Sequence, residues 1–303
     1  MQRQGDCGHQ KKQQEPGNGE RYMLNQAEQV KQDGIIAGTL NRRRFLQVAG
    51  VSAGAVGTLG LAGCGGLIGV DPEAGPAPSI EDVLNFALNL EYFEASFYSY
   101  ITTGAGIPSA NLGANPGTIT GGAQVKFTDP NVAALATQLA ADELAHVQFL
   151  RAGMSYFGLT PVDAPALNLA ALGAPTDDAS FLALARQLET VGTSAYEGGV
   201  QYLASNILAV EYAARIHSAE GQHEAALRQF CISKGITSPA VDKYDRPPVL
   251  GSNTIFNTSV VTGLNTARNA SEVLQIVYAA PGMTGVLSGG FFPKGLNGNV
   301  KST

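Results

Sequence analysis

The chain has 303 residues, 44% of them hydrophobic and only 15% charged, enough apolar material for a sizeable core beneath a lightly charged surface. Its formal charge of −6 is unevenly placed: residues 1–63 carry 8 Lys/Arg and 5 Asp/Glu (+3), which leaves 11 and 20 (−9) for residues 64–303. A body that acidic has no basic stripe for a phosphate backbone, so nucleic acid is excluded as an expected partner.

The basic front end reads as a targeting segment. Arg42-Arg43-Arg44-Phe45-Leu46 has the form of a twin-arginine export signal, and a Gly/Ala-rich apolar run from Val48 to Leu61 follows it. That run is too short for a membrane span. It ends in Leu61-Ala62-Gly63-Cys64, which has the form of a bacterial lipobox with Cys64 as the lipidated residue. A plain signal peptide cut nearby is the simpler alternative. The expectation is an exported protein, periplasmic or held at the cell envelope, touching membrane only through a lipid anchor. The polar lead-in of residues 1–40 is long for such a signal, which points to a start codon further downstream. Residues 1–63 are therefore set aside as export signal and 64–78 as a Pro/Gly/Ala tether. The cysteines Cys7, Cys64 and Cys231 form no disulfide framework and no Cys-x-x-Cys pair; Cys231 reads as a buried inert thiol.

From residue 79 the pattern becomes helical. Ser79 is a good N-cap with Glu81 and Asp82 in the first turn, and apolar positions from Val83 to Phe97 carry a helix to about Thr102. Gly104 to Asp129 is a long Gly/Pro/Asn excursion. Asp129 and Pro130 start a second helix, which runs to about Phe157. Gly158 to Thr176 is loop again. A third helix starts near Asp177 and reaches about Leu203; a fourth runs from about Asn206 to Ser233 and stops at Gly235. Residues 236–303 read as an irregular strap packed on the bundle, with one short helix from Ser271 to Ala279 capped by Ser271. The fold class expected is thus all-α: a four-helix bundle over 79–235 with a long crossover, plus a C-terminal extension.

Two of these helices carry the same string: Glu143-x-x-His146-x-x-x-Leu150-Arg151 on the second and Glu220-x-x-His223-x-x-x-Leu227-Arg228 on the fourth. A carboxylate and an imidazole three residues apart share one helix face. The first and third helices carry Glu-x6-Tyr instead: Glu91 with Tyr98, and Glu189 with Tyr196. The order Glu, Glu-x-x-His, Glu, Glu-x-x-His is the ligand inventory of ferritin-like dinuclear carboxylate proteins. Glu143 and Glu220 are placed to bridge two iron or two manganese ions, His146 and His223 to cap one each, and Glu91 and Glu189 to complete the set. Tyr98 and Tyr196 lie two turns beyond these and are placed to hydrogen-bond to ligands. A duplicated repeat holding buried Glu–His and Glu–Tyr pairs without metal is the competing explanation.

Glu94 and Glu197 are alternative ligands because each neighbours a repeat-matched residue, and His217, one turn before Glu220, is a third imidazole that reads more simply as a packed histidine. Glu211 and Glu224 read as solvated or helix-pairing charges. The Gly-rich pieces lack a strand-to-helix context and imply no nucleotide site.

The segments Leu88-Asn-Leu-Glu91-Tyr-Phe-Glu94-Ala, Asp142-Glu143-x-x-His146, Glu189-Thr-Val-Gly192-x-x-Ala195-Tyr196 and Glu220-x-x-His223 resemble the exported bacterial ferritin-like family that includes the plant desiccation-related proteins. Ser271-Glu-Val-Leu274 shares the likeness, which covers about residues 79–280. The resemblance implies a four-helix bundle with a dinuclear centre and says little about reaction. The extended Gly104–Asp129 loop departs from the family pattern. Fe(II) oxidation or peroxide removal, with dioxygen or peroxide as the partner molecule, is the expected chemistry; a stress-protective or surface-binding scaffold is the non-enzymatic rival. The sequence leaves the oligomeric state open, a dimer included.

Overall fold

A computed structural model of the chain describes residues 77–303. The export motif at Arg42 and Arg43, Cys64 and most of the tether lie outside the described residues. Among the described residues five α-helices follow in order: α1 (Ile80–Thr103), α2 (Pro130–Tyr156), α3 (Asp178–Gly199), α4 (Ile207–Lys234) and the short α5 (Ala270–Val277). The first four form a helical bundle in which α1 packs on α2 and α3 on α4. No helix among the described residues is long and apolar enough to cross a membrane.

Local chemistry fixes the helix ends. Ser79 caps α1 in a reciprocal box with Asp82, Asp129 caps α2 ahead of Pro130, and Asp177 caps α3 in a box with Ser180. Gly235 ends α4 at φ 63°, a left-handed conformation that glycine adopts without the clash a Cβ brings. Two expectations are corrected. The third helix is α-helical only to Gly199 and continues as a 3-10 turn over Val200–Leu203. The short C-terminal helix begins earlier than expected, capped by Asn269 rather than Ser271, because Glu272 lies three residues after Asn269 and closes a capping box with it.

The apolar core falls into two clusters, and along α2 and α4 the Glu-x-x-His segments lie between them. On α2, Val132, Ala136 and Leu139 belong to one cluster and Val147, Leu150 and Met154 to the other; on α4, Leu227 and Cys231 face the first and Ala209, Ala213 and Ile216 the second. Burying a side chain such as Leu139 or Phe97 contributes about 1.5–3 kcal/mol, so Phe97→Ala costs about 3–5 kcal/mol once the cavity is counted. The two long loops are tied together: Ile119–Thr120 (β1) pairs in parallel with Leu167–Asn168 (β2) in the crossover.

Three fully buried arginines hold the C-terminal extension against the bundle. Arg186 on α3 donates to Asp245 Oδ2 (2.5 Å), to Ser238 Oγ (2.8 Å) and to the Pro239 carbonyl. Arg228 on α4 donates to the carbonyls of Arg246, Thr254 and Ile255 (2.6–2.8 Å). Arg268, inside the extension, forks onto Asp242 at 2.7 and 2.8 Å and donates to Ser194 Oγ on α3. A Cβ at Gly198 would lie 1.9 Å from the Arg268 carbonyl oxygen, so only glycine lets the strap lie this close to α3. The Leu-Arg tails of the sequence repeat have matching tasks: Arg151 clasps Tyr92 and the Val162 carbonyl after α2, as Arg228 clasps the segment after α4. Glu224, read from sequence as a solvated or helix-pairing charge, is buried: it accepts from Thr190 Oγ1 (2.8 Å) and lies 3.5 Å from Arg228. Glu211 pairs with Arg215 at the surface.

Candidate metal centre

Each bundle helix brings one buried carboxylate into the central cluster, and α2 and α4 add an imidazole one turn further on. Because Glu and His three apart share a face, both reach the bundle interior together. Two groups of four potential ligands result: Glu91, Glu143, His146 and Glu220, and Glu143, Glu189, Glu220 and His223, the ligand atoms of each lying within 4.8 Å of one another. Glu143 and Glu220 belong to both. His146 Nδ1 stands 3.1 Å from Glu143 Oε2 and 3.3 Å from both Glu91 Oε2 and Glu220 Oε1. His223 Nδ1 stands 3.0 Å from Glu143 Oε1 and 3.4 Å from Glu189 Oε2. The two rings are 6.0 Å apart.

The tyrosines reach across the bundle. Tyr98 on α1 donates to Glu189 Oε1 on α3, and Tyr196 on α3 donates to Glu91 Oε1 on α1, each at 2.5 Å. Each tyrosine therefore holds the carboxylate of the other half and leaves that carboxylate's second oxygen facing inward. Asp142, one residue before Glu143, lies 3.2 Å from His223 Nε2 and orients that ring with Nδ1 inward. Repeat-matching missed Asp142, because the place before Glu220 is held by Ala219. Glu94 is buried beside the centre yet outside both groups of four. Glu197 and His217 pair with each other at 3.3 Å, also outside both groups.

The electrostatics show why the cluster suits cations. Burial raises Glu91 to about 7 against the pull of His146. Burial, then repulsion from Glu143, lifts Glu220 well above the usual carboxylate range; burial and Glu220 do the same to Glu94, and burial also raises Glu189. Glu143 is the exception: burial opposes its charge, but His146 and His223 hold it low. Burial likewise disfavours both imidazolium ions, yet Glu91 and Glu143 keep His146 high, and Glu143 and Glu189 push His223 up to about 12. Four carboxylates this close in a low-dielectric interior cannot all ionise without positive charge between them. A bound metal cation would supply such charge.

A test of fit lies in the hydrogen bonding. Glu91 Oε2, Glu143 Oε1, Glu189 Oε2, both oxygens of Glu220 and His223 Nδ1 are buried and make no aligned hydrogen bond, although all but Glu220 Oε2 face an imidazole or carboxylate 3.0–3.4 Å away. Buried polar atoms are normally satisfied by aligned bonds, so six such atoms in one cluster fit the part of ligand atoms for a cation. Carboxylate oxygens joined by imidazole nitrogens are a donor set that can hold metal ions.

Residues 80–232 match the family model described as the ferritin-like domain, and the chain belongs to that family. No curated protein matches the chain.

Proposed function

We propose that this protein is an exported member of the ferritin-like family, of the kind related to plant desiccation-related proteins, holding two iron or two manganese ions and carrying out redox chemistry at the cell envelope. That chemistry is Fe(II) oxidation or the removal of peroxide. The observation that carries the reading is the convergence of four buried carboxylates and two imidazoles into two groups built around Glu143 and Glu220. Glu91 with His146 would hold one ion and Glu189 with His223 the other, Glu143 and Glu220 serving both. When bound, the two ions supply one electron each, enough with two protons to reduce hydrogen peroxide to two waters. The chain's own residues do the rest. The Tyr98 and Tyr196 hydroxyls hold the terminal carboxylates in one orientation, Asp142 fixes the His223 ring, and the apolar clusters on either side exclude bulk water.

Export is supported by Arg42-Arg43-x-Phe45-Leu46, and lipidation by Leu61-Ala62-Gly63-Cys64. In expressing cells the wild type is expected in the membrane fraction and Cys64→Ser in the soluble fraction; an unchanged distribution refutes the anchor. For the centre, the measurement is metal content of the full chain purified without chelator, beside Glu143→Ala/Glu220→Ala. About two Fe or Mn per wild-type chain, lost in a folded double mutant, is the expected result. No uptake of either ion after reconstitution would leave only a helical scaffold.

A further inference from the structure

An open groove of about 600 Å³ lies between α5, the strap and the crossover loop, with Leu172, Val241, Tyr244, Glu272, Ile276 and Pro281 among its walls. A second cavity, of about 20 Å³, shares Leu172, Gln187, Val241 and Ile276 with it. The second cavity is walled by apolar side chains, Leu90, Phe93, Leu188, Val191, Val277 and Phe291, and it also touches Glu94 and Gly192. Those last two adjoin the metal centre: a Cβ at Gly192 would fall 2.7 Å from Glu220 Oε2 and 3.0 Å from Glu94 Oε1. Glu94 and Glu220 thus occupy the space that a side chain at Gly192 would fill. No residue of α2 or α4, the helices that carry the histidines, lines the second cavity.

We propose that the groove, with the second cavity as its throat, is the entrance for a small uncharged oxidant, dioxygen or hydrogen peroxide, with Glu94 standing at the inner mouth. The proposal rests on the redox reading above. Size and lining select the traveller. A cavity of 20 Å³ has room for about one water-sized molecule. Stripping a metal cation of its hydration shell to pass an aliphatic and aromatic wall costs several kcal/mol, whereas dioxygen or peroxide carries no charge to desolvate. Side-chain fluctuations on the picosecond to nanosecond scale are enough to pass such a molecule. Val241, Tyr244, Glu272, Ile276, Val277 and Phe291 all lie beyond residue 232, where the family match ends. The entrance is therefore built in large part by this chain's own C-terminal extension.

Leu172 borders both spaces and is half exposed at 52%, so Leu172→Trp adds bulk at the mouth without touching a ligand. Ile276→Trp narrows the same point from α5, and Leu172→Ala is the widening control. The full chain, loaded with Fe(II) or Mn(II), is mixed with dioxygen or, anaerobically, with hydrogen peroxide, and the two arms identify the oxidant. Both Trp variants are expected to keep the wild-type metal content and to react at least about tenfold more slowly, with Leu172→Ala no slower than wild type. Crystals of the metal-free protein under xenon pressure give a readout independent of reactivity: xenon in the throat of the wild type and none in Leu172→Trp. Wild-type rates in both Trp variants, or a throat that takes no xenon in the wild type, overturn the proposal. A loaded wild type inert to both oxidants overturns the substrate assignment. A wild type that takes up no metal instead refutes the redox reading, and the xenon result still decides whether the passage exists.

Discussion

Stripping the metal and raising the pH should weaken the fold, and the size of the effect follows from the cluster. In the metal-free protein Glu91 holds its proton up to about 7, because burial outweighs the pull of His146, whereas an unfolded glutamate releases it near 4.5. His223 keeps its proton up to about 12 in the fold and loses it near 6.5 when unfolded, the carboxylates of Glu143 and Glu189 overcoming the burial that opposes its charge. Across a window of about pH 6 to pH 8 the folded state therefore binds more protons than the unfolded state, and stability falls as pH rises. Glu91 contributes a loss on the order of 1 kcal/mol over that window and His223 about 2 kcal/mol. His146, kept high by Glu91 and Glu143 against burial, adds to the fall in the same direction, as do Glu94 and Glu220, held above the usual carboxylate range by burial and repulsion from neighbouring carboxylates. Glu143, held low, is ionised in both states there; its contribution is lost only as pH drops below the usual carboxylate range. The assay is urea unfolding of chelator-treated and metal-loaded protein at both ends of the window. The loss from Glu91 and His223 alone, about 3 kcal/mol, corresponds to a midpoint shift of about 1 M urea, and the other groups enlarge it. Loaded protein should show the reverse trend in metal stabilisation, because cations displace these protons and bind more tightly as pH rises. A metal-free midpoint that stays level or rises with pH would show that the carboxylates do not share one buried field.

Other substitutions separate positioning from folding. Tyr98→Phe and Tyr196→Phe each remove one hydrogen bond to a buried carboxylate; a stability loss of about 1.5–3 kcal/mol and a fall of about 10–100-fold in metal affinity are expected, read by calorimetric titration, with the number of ions per chain unchanged. Arg186→Met leaves Asp245 buried without its cation and should cost about 3–5 kcal/mol in denaturant melts, most of it recovered in Arg186→Met/Asp245→Leu; equal losses in the single and double variants would contradict this account of how the strap is held.

The bundle was legible because its signals are local. Ser79, Asp129 and Asp177 cap helices by bonds spanning two or three residues, and the Glu-x-x-His strings set both partners on one face wherever the helix packs. The structure brings the six repeat-matched residues together. Features that depend on distant partners were not legible. Arg186 carries no local signal of its partner Asp245, 59 residues away, and Glu224, which does pair along its helix with Arg228, is buried rather than solvated. Asn269 was overlooked as a cap in favour of Ser271, although Glu272 three residues on marks the box. The crossing of the tyrosines also lies beyond periodicity: spacing places Tyr98 on the face of Glu91, whereas the antiparallel run of α1 and α3 brings it to Glu189.

That crossing bears on what the duplication can do. With Tyr98 serving Glu189 and Tyr196 serving Glu91, and with Glu143 and Glu220 common to both groups of four, neither half holds a complete site by itself. The matched residues therefore make the two positions alike in ligand type, and the unmatched ones make them unlike in surroundings. Counting on from Glu91 and Glu189, the third residue is Glu94 in one half and Gly192 in the other, and the Glu94 carboxylate lies beside the space left by the missing side chain. Counting back one from Glu143 and Glu220 gives Asp142 and Ala219, so the carboxylate that orients His223 has no counterpart for His146. Both departures are changes of side chain on an unaltered helical frame. A repeat can keep its geometry while two positions make its halves differ, and here those positions are the ones that a search for symmetry passes over.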